Sequence, residues 1–168
     1  LSMGHLVAPG KALAWRGPMA GRALGQLIEA HWSKDTEVLL IDLPPGTGDV
    51  QLTMVQKFKP AGAVLVSTPQ DLALIDAARA GQLFESAGVP VIGLVENMSG
   101  YACPSCGEVS NPFGAGNVEA AAERLELPFL GRIPLDIEIR QGSDHGEPPA
   151  ALDGRIAKPF LAIAKSLQ

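Results

Sequence analysis

Four short apolar runs alternate with stretches whose apolar residues recur at helical spacing. The runs cover residues 37–41, 61–67, 89–95 and 129–133, and each is followed by a polar residue or a proline: Asp42, Thr68-Pro69, Glu96-Asn97 and Pro134. Continuous apolar runs without polar alternation fit strands covered on both faces. Residues 1–7 are a candidate for a further strand. Between the runs, 19–31 places Ala23, Leu24, Leu27 and Ile28 on one face, and 71–87 does the same with Leu74, Ile75, Ala78, Leu83 and Phe84 before stopping at Gly88. Two further helices are expected over the Ala-rich 117–125 and over 155–167. Strand and helix in repeated order predict an α/β fold, a parallel sheet with helices on both faces, in one domain over residues 1–168.

Size and composition agree with that reading. The chain has 168 residues, 46% hydrophobic and 18% charged, which suits a packed core. A net charge of -5 provides no basic footprint for nucleic acid or an anionic membrane. No apolar run approaches the ~20 residues that span a bilayer, and no signal peptide opens the sequence, so a cytoplasmic location is expected.

In open α/β sheets the ligand lies beyond the carboxyl ends of the strands. The polar residues expected there are Asp42, Thr68, Asn97 and Asp136. Asp42 heads the string Asp42-Leu-Pro-Pro-Gly-Thr-Gly-Asp49, a position where nucleotide-binding α/β proteins hold Mg²⁺. Its Gly46-Thr47-Gly48 turn exposes backbone N–H groups to a phosphate. The competing structural role is a plain turn with Asp49 as a helix N-cap. The amide of Asn97 can donate and accept at once, as a purine edge requires, or it can simply support its loop. Trp15-Arg16-Gly17-Pro18 is a candidate contact loop, with Arg16 free to pair with a phosphate or a carboxylate.

Residues 99–116 form the longest stretch without periodicity and read as an inserted loop. It carries the only two cysteines, Cys103 and Cys106. Neither a preceding strand nor a following helix supports a thioredoxin-type motif. A zinc site within one chain lacks two ligands, because His5, His31 and His145 are remote in sequence. A two-fold axis would bring four thiolates together, a set that suits a [4Fe–4S] cluster or zinc alike. Two unligated loop thiols are the remaining alternative.

Seven strings occur in order: Trp15-Arg-Gly-Pro18, Asp42-Leu-Pro-Pro-Gly-Thr-Gly-Asp49, Thr68-Pro-Gln-Asp71, Glu96-Asn-Met-Ser99, Cys103-Pro-Ser-Cys-Gly107, Phe113-Gly114 and Gly131-Arg-Ile-Pro-Leu-Asp136. Together they resemble the Mrp/ApbC group of P-loop ATPases, relatives of MinD, ParA and nitrogenase iron protein. The resemblance implies a homodimeric carrier whose [4Fe–4S] cluster bridges two subunits through Cys103 and Cys106 and passes to apo-proteins. Zinc could replace the cluster in aerobic preparations. The resemblance also implies that Asp42 serves Mg²⁺ in catalysis, that Asn97 faces adenine, and that Pro134 and Asp136 border the base, with ATP and Mg²⁺ as cofactors of the full-length protein.

The family's phosphate loop is missing: no Gly-x-x-x-x-Gly-Lys-Ser/Thr string occurs here. The chain is therefore expected to be the C-terminal portion of a longer protein, with a sheet incomplete at its N-terminal βα unit, which should leave an apolar gap or force self-association. It is also expected to have no useful ATP affinity or turnover alone. Competing readings are a MinD/ParA-like positioning ATPase and a zinc-stabilised interaction module.

Overall fold

The computed structural model describes residues 1–2, 4, 17–151 and 154–167. It resolves into two compact units, 1–60 and 61–168.

The first unit is helical. α1 spans Gly17–Ile28, and α2, Asp49–Thr53, runs on through a π-helical turn, Met54–Phe58. Buried Ala23, Leu24, Met54 and Val55 form its core. The two helices approach closely at Gly21, where a Cβ would lie 2.6 Å from the Thr53 hydroxyl oxygen. Thr53 cannot easily yield, because its hydroxyl donates to the Asp49 carbonyl at 2.6 Å.

The strand expected over 37–41 does not form. The segment is irregular, and Val38 and Leu40 are 72% and 86% exposed. A strand is held by its ladder; among the described residues this unit contains no other strand with which to pair. Of the strand considered over 1–7, Leu1 and Ser2 are irregular and most of the rest lies outside the described residues, as do Trp15 and Arg16.

The second unit is the α/β body. Its elements, in order, are β1 (Ala63–Ser67), α3 (Asp71–Ser86), β2 (Val91–Glu96), β3 (Tyr101–Ala102), β4 (Val109–Ser110), α4 (Asn117–Arg124), β5 (Phe129–Arg132), α5 (Ile137–Asp144), a 3₁₀ turn (Pro149–Ala151) and α6 (Ala157–Ser166). β1, β2 and β5 form a parallel sheet in the order β1-β2-β5. Register places Leu65, Leu94 and Glu96 on one face. α3 reaches that face at Gly81, where a Cβ would lie 3.0 Å from Leu65, and α4 reaches it at Val118, whose N–H is bonded by Glu96. Val64, Val95 and Gly131 point to the other face, where Ile163 of α6 covers Gly131. Helices thus lie on both faces, as the alternation predicts. Val66, on that second face of edge strand β1, remains 59% exposed.

Gly93 is required by packing. A Cβ there would lie 2.6 Å from the Pro128 carbonyl oxygen and 2.8 Å from Leu130. The Pro128 oxygen is meanwhile fixed as acceptor for the Leu94 N–H. Among the described residues no helix is long and apolar enough to cross a membrane.

Candidate functional site

The parallel sheet carries Thr68, Asn97 and the 133–136 loop to one edge, the carboxyl ends of β1, β2 and β5. Backbone bonds extend the ladder past the strands proper. The Asn97 N–H donates to the Ser67 carbonyl at 2.8 Å, and the Ile133 N–H donates to the Glu96 carbonyl at 2.8 Å. Ser99 then donates to Ile133 at 3.0 Å, and Leu135 to Gly100 at 2.9 Å. Asn97 and half-buried Pro134 therefore sit on neighbouring, hydrogen-bonded segments.

Asn97 is already half engaged. Its Oδ1 accepts the N–H of Met98 at 2.9 Å, which leaves Nδ2 as the donor without a partner among the described residues. Met98 itself has φ 57°, a left-handed conformation uncommon for a non-glycine residue.

Asp136 performs a structural task alongside any ligand role. It caps α5 by accepting the Glu138 N–H at 2.8 Å and pairs with Arg155, which also reaches Glu138 at 2.8 Å. Burial alone would push the Asp136 carboxyl up. The Arg155 hydrogen bond and charge and the Glu138 N–H outweigh it, holding the group below the usual carboxylate range. The same pairing raises Arg155.

Glu96 is the site residue that pattern reading did not single out. It is 0% exposed, yet its Oε2 accepts only the Val118 N–H at the start of α4, at 3.3 Å. Arg132 Nε lies 3.3 Å from Oε1, near enough to balance its charge but not aligned as a hydrogen bond. Arg132 also pairs with Glu119 and covers the Phe129 ring at 4.9 Å. Glu96 was legible only as the acid ending a buried run.

The cysteines do not lie in a shapeless loop. β3 and β4 pair antiparallel, Tyr101 with Ser110 and Ala102 with Val109, so a short strand does precede Cys103. The Cys103 N–H donates to the Glu108 carbonyl at 2.9 Å, and the Gly107 N–H returns to the Cys103 carbonyl at 2.8 Å. Gly107, with φ 75°, makes the reversal without side-chain strain. Cys106 is exposed and Cys103 half-buried, both as free thiols. The backbone N–H groups of Cys106 and Ser105, with the Cys106 side chain, lower the Cys103 thiol pKa against the opposing effect of burial. A lowered pKa favours the thiolate, the form that binds metal. Among the described residues no cluster of three or more His, Cys, Asp or Glu side chains forms a metal site.

In the first unit, exposed Asp42 ends the irregular 37–41 segment. Gly46, with φ 92°, opens the following turn, in open space at its Cα. Buried Gln51 pins the turn by donating to the Pro44 carbonyl. Gly48 rather than Asp49 is the N-cap of α2, and Asp49 is its first residue.

All 168 residues match the family model described as ParA, NUBPL iron-transfer P-loop NTPase. The chain is 45% identical over 166 residues to an iron-sulfur cluster carrier protein of Escherichia coli, covering 99% of this chain and 44% of that one. It thus spans less than half the length of that relative. Among solved structures, a nucleotide-binding protein of Archaeoglobus fulgidus, in complex with ADP and with cobalt found in it, is 45% identical. It matches at a TM-score of 0.58 over 65% of this chain and 45% of its own. The cell-division ATPase MinD of Pyrococcus furiosus is 28% identical, with a TM-score of 0.64 over 88% of this chain and 57% of its own.

Proposed function

Given that the chain belongs to the family of ParA-type, NUBPL-like iron-transfer P-loop NTPases, we propose that it carries an iron–sulfur cluster and delivers it to apo-proteins. The observation that carries this is the Cys103–Cys106 hairpin. It presents two thiols at the surface, three positions apart, the first held below the usual thiol range by the neighbouring Cys106 and Ser105 backbone N–H groups. These residues fit a thiolate-bound cluster chemically: the sulfurs are accessible and the thiolate form is favoured.

Two thiolates are half of a four-ligand set. The other half comes from the same hairpin of a second copy, related by a two-fold axis, making a bridged homodimer around a [4Fe–4S] cluster. Zinc, which accepts the same four sulfurs, is the competing occupant in air.

The nucleotide side of the reading is built on the sheet edge. Asn97 offers Nδ2 to an acceptor on adenine, and Pro134 borders the base. Asp136 shapes that border as the cap of α5, held in place by Arg155. Asp42 serves Mg²⁺ and the turn at Gly46 meets phosphate when ATP is held. A cytoplasmic location goes with this reading.

Anaerobic reconstitution with iron and sulfide tests the proposal. The wild-type chain should turn brown and dimeric, and Cys103→Ser or Cys106→Ser should abolish both. A colourless product, or serine variants that retain iron, refutes it.

A further inference from the structure

The base-facing edge and the thiol pair are joined by continuous hydrogen-bonded backbone. From Glu96 the chain runs along the 133–135 segment through the Glu96–Ile133, Ser99–Ile133 and Gly100–Leu135 bonds, and Tyr101 forms an isolated parallel bridge with Leu135. Tyr101 is also the first residue of β3, so the next rungs are those of the cysteine hairpin: Tyr101 with Ser110, Ala102 with Val109, Cys103 with Glu108. The hairpin thus joins the 133–135 segment through the Leu135 N–H on the Gly100 carbonyl and the adjoining Tyr101–Leu135 bridge.

We propose that this 96–101 ladder on 133–135 is the positioning element of the thiolate pair, the Leu135–Gly100 bond being the rung that leads into the Tyr101–Leu135 bridge. Asn97 ties it to the base-facing edge. The proposal rests on the reading of Cys103 and Cys106 as metal ligands and adds how they are held and what they sense. Asn97 Oδ1 is the acceptor that supports left-handed Met98. A strained residue persists only where its surroundings hold it. A ligand that engages the Asn97 amide therefore acts on the segment that aims the sulfurs. Any such coupling is reciprocal, so metal at the cysteines acts back on the base edge.

The test uses the 168-residue chain, kept anaerobic and titrated with Co²⁺ alone, as wild type, Leu135→Pro and Gly100→Ala. Proline at 135 removes the N–H that bonds the Gly100 carbonyl. Alanine at 100 strains a residue at φ 65° whose Cβ would lie 3.4 Å from Asn111 Oδ1. The expected result is a loss of about five- to tenfold in Co²⁺ affinity, the equivalent of one hydrogen bond. The Cys103 and Gly107 amides should exchange faster with solvent while the Leu94 amide in β2 stays protected. Variants that match wild type in both affinity and amide exchange overturn the proposal. If wild type itself binds no Co²⁺, the metal reading fails, and amide exchange still decides whether the rung holds the hairpin. If Leu135→Pro also loses Leu94 protection, it has unfolded and Gly100→Ala decides.

Discussion

The fully buried carboxylate of Glu96 lies 3.3 Å from Arg132 Nε, across the adjoining ends of β2 and β5. A carboxylate taken out of water needs both charge balance and hydrogen bonds. Here Arg132 supplies the first and the Val118 N–H the second, so one residue joins β2, β5 and the start of α4.

Removing the cation strands the buried charge. Arg132→Met should cost about 3 kcal/mol, because Glu96 then lacks a counter-charge. Glu96→Gln keeps an acceptor for Val118 and should cost less. Urea unfolding checks this through a lower midpoint at unchanged slope. Shifts of both variants within about 0.5 kcal/mol of wild type would contradict the role.

Acid acts through Asp136. Its carboxyl is held below the usual range in the folded protein, so its charge contributes stability above the unfolded value of about 4. That contribution is lost as pH falls through the lower folded value. Asp136→Asn, which can still cap α5, should be less stable than wild type at neutral pH by on the order of 1 kcal/mol. The gap should narrow as pH drops below about 4. A gap that is constant with pH would contradict the assignment.

The apo hairpin should show its electrostatics in reactivity. Cys103 is expected to reach half-maximal alkylation at a lower pH than free cysteine, whose thiol titrates near 8.5, because the Cys106 and Ser105 N–H groups favour its thiolate. Peptide mapping after timed alkylation across pH measures it. A midpoint at or above that of free cysteine would show that these donors do not act on the sulfur.

Much of the body was legible in the sequence for a plain reason. Residues 61–67, 89–95 and 129–133 are apolar runs bounded by proline, glycine or polar residues, and their strands and the helix over 71–86 formed within a few residues of the expected limits. The run at 37–41 looks the same on paper but has no ladder partner among the described residues of its unit, and composition cannot report that. The cysteine hairpin was missed because two-residue strands carry no periodicity. α5 was missed because its sequence is polar and carries no apolar stripe, Gly142 being its one buried residue, although Asp136, two residues before the N–H it accepts, is the cap signal that announces it. At the site, the cysteine spacing was visible, whereas the ladder that ties it to Asn97 and Leu135 depends on two segments more than 30 residues apart meeting in space.

Nucleotide affinity provides a further test. The triphosphate contacts of this family's fold come chiefly from a phosphate loop and its lysine, and no such string occurs in these 168 residues. Calorimetry with ATP and Mg²⁺ should therefore detect no micromolar binding by this chain. A micromolar Kd would mean that the chain holds the triphosphate without that loop.

The central claim is that the hairpin forms half of a shared cluster site. Native mass spectrometry of the anaerobically reconstituted chain measures this directly. The prediction is a dimer carrying one cluster, about two irons per chain, which reverts to apo-chains in Cys103→Ser and Cys106→Ser. Iron on a monomer, or a dimer whose iron content survives either serine substitution, would contradict it.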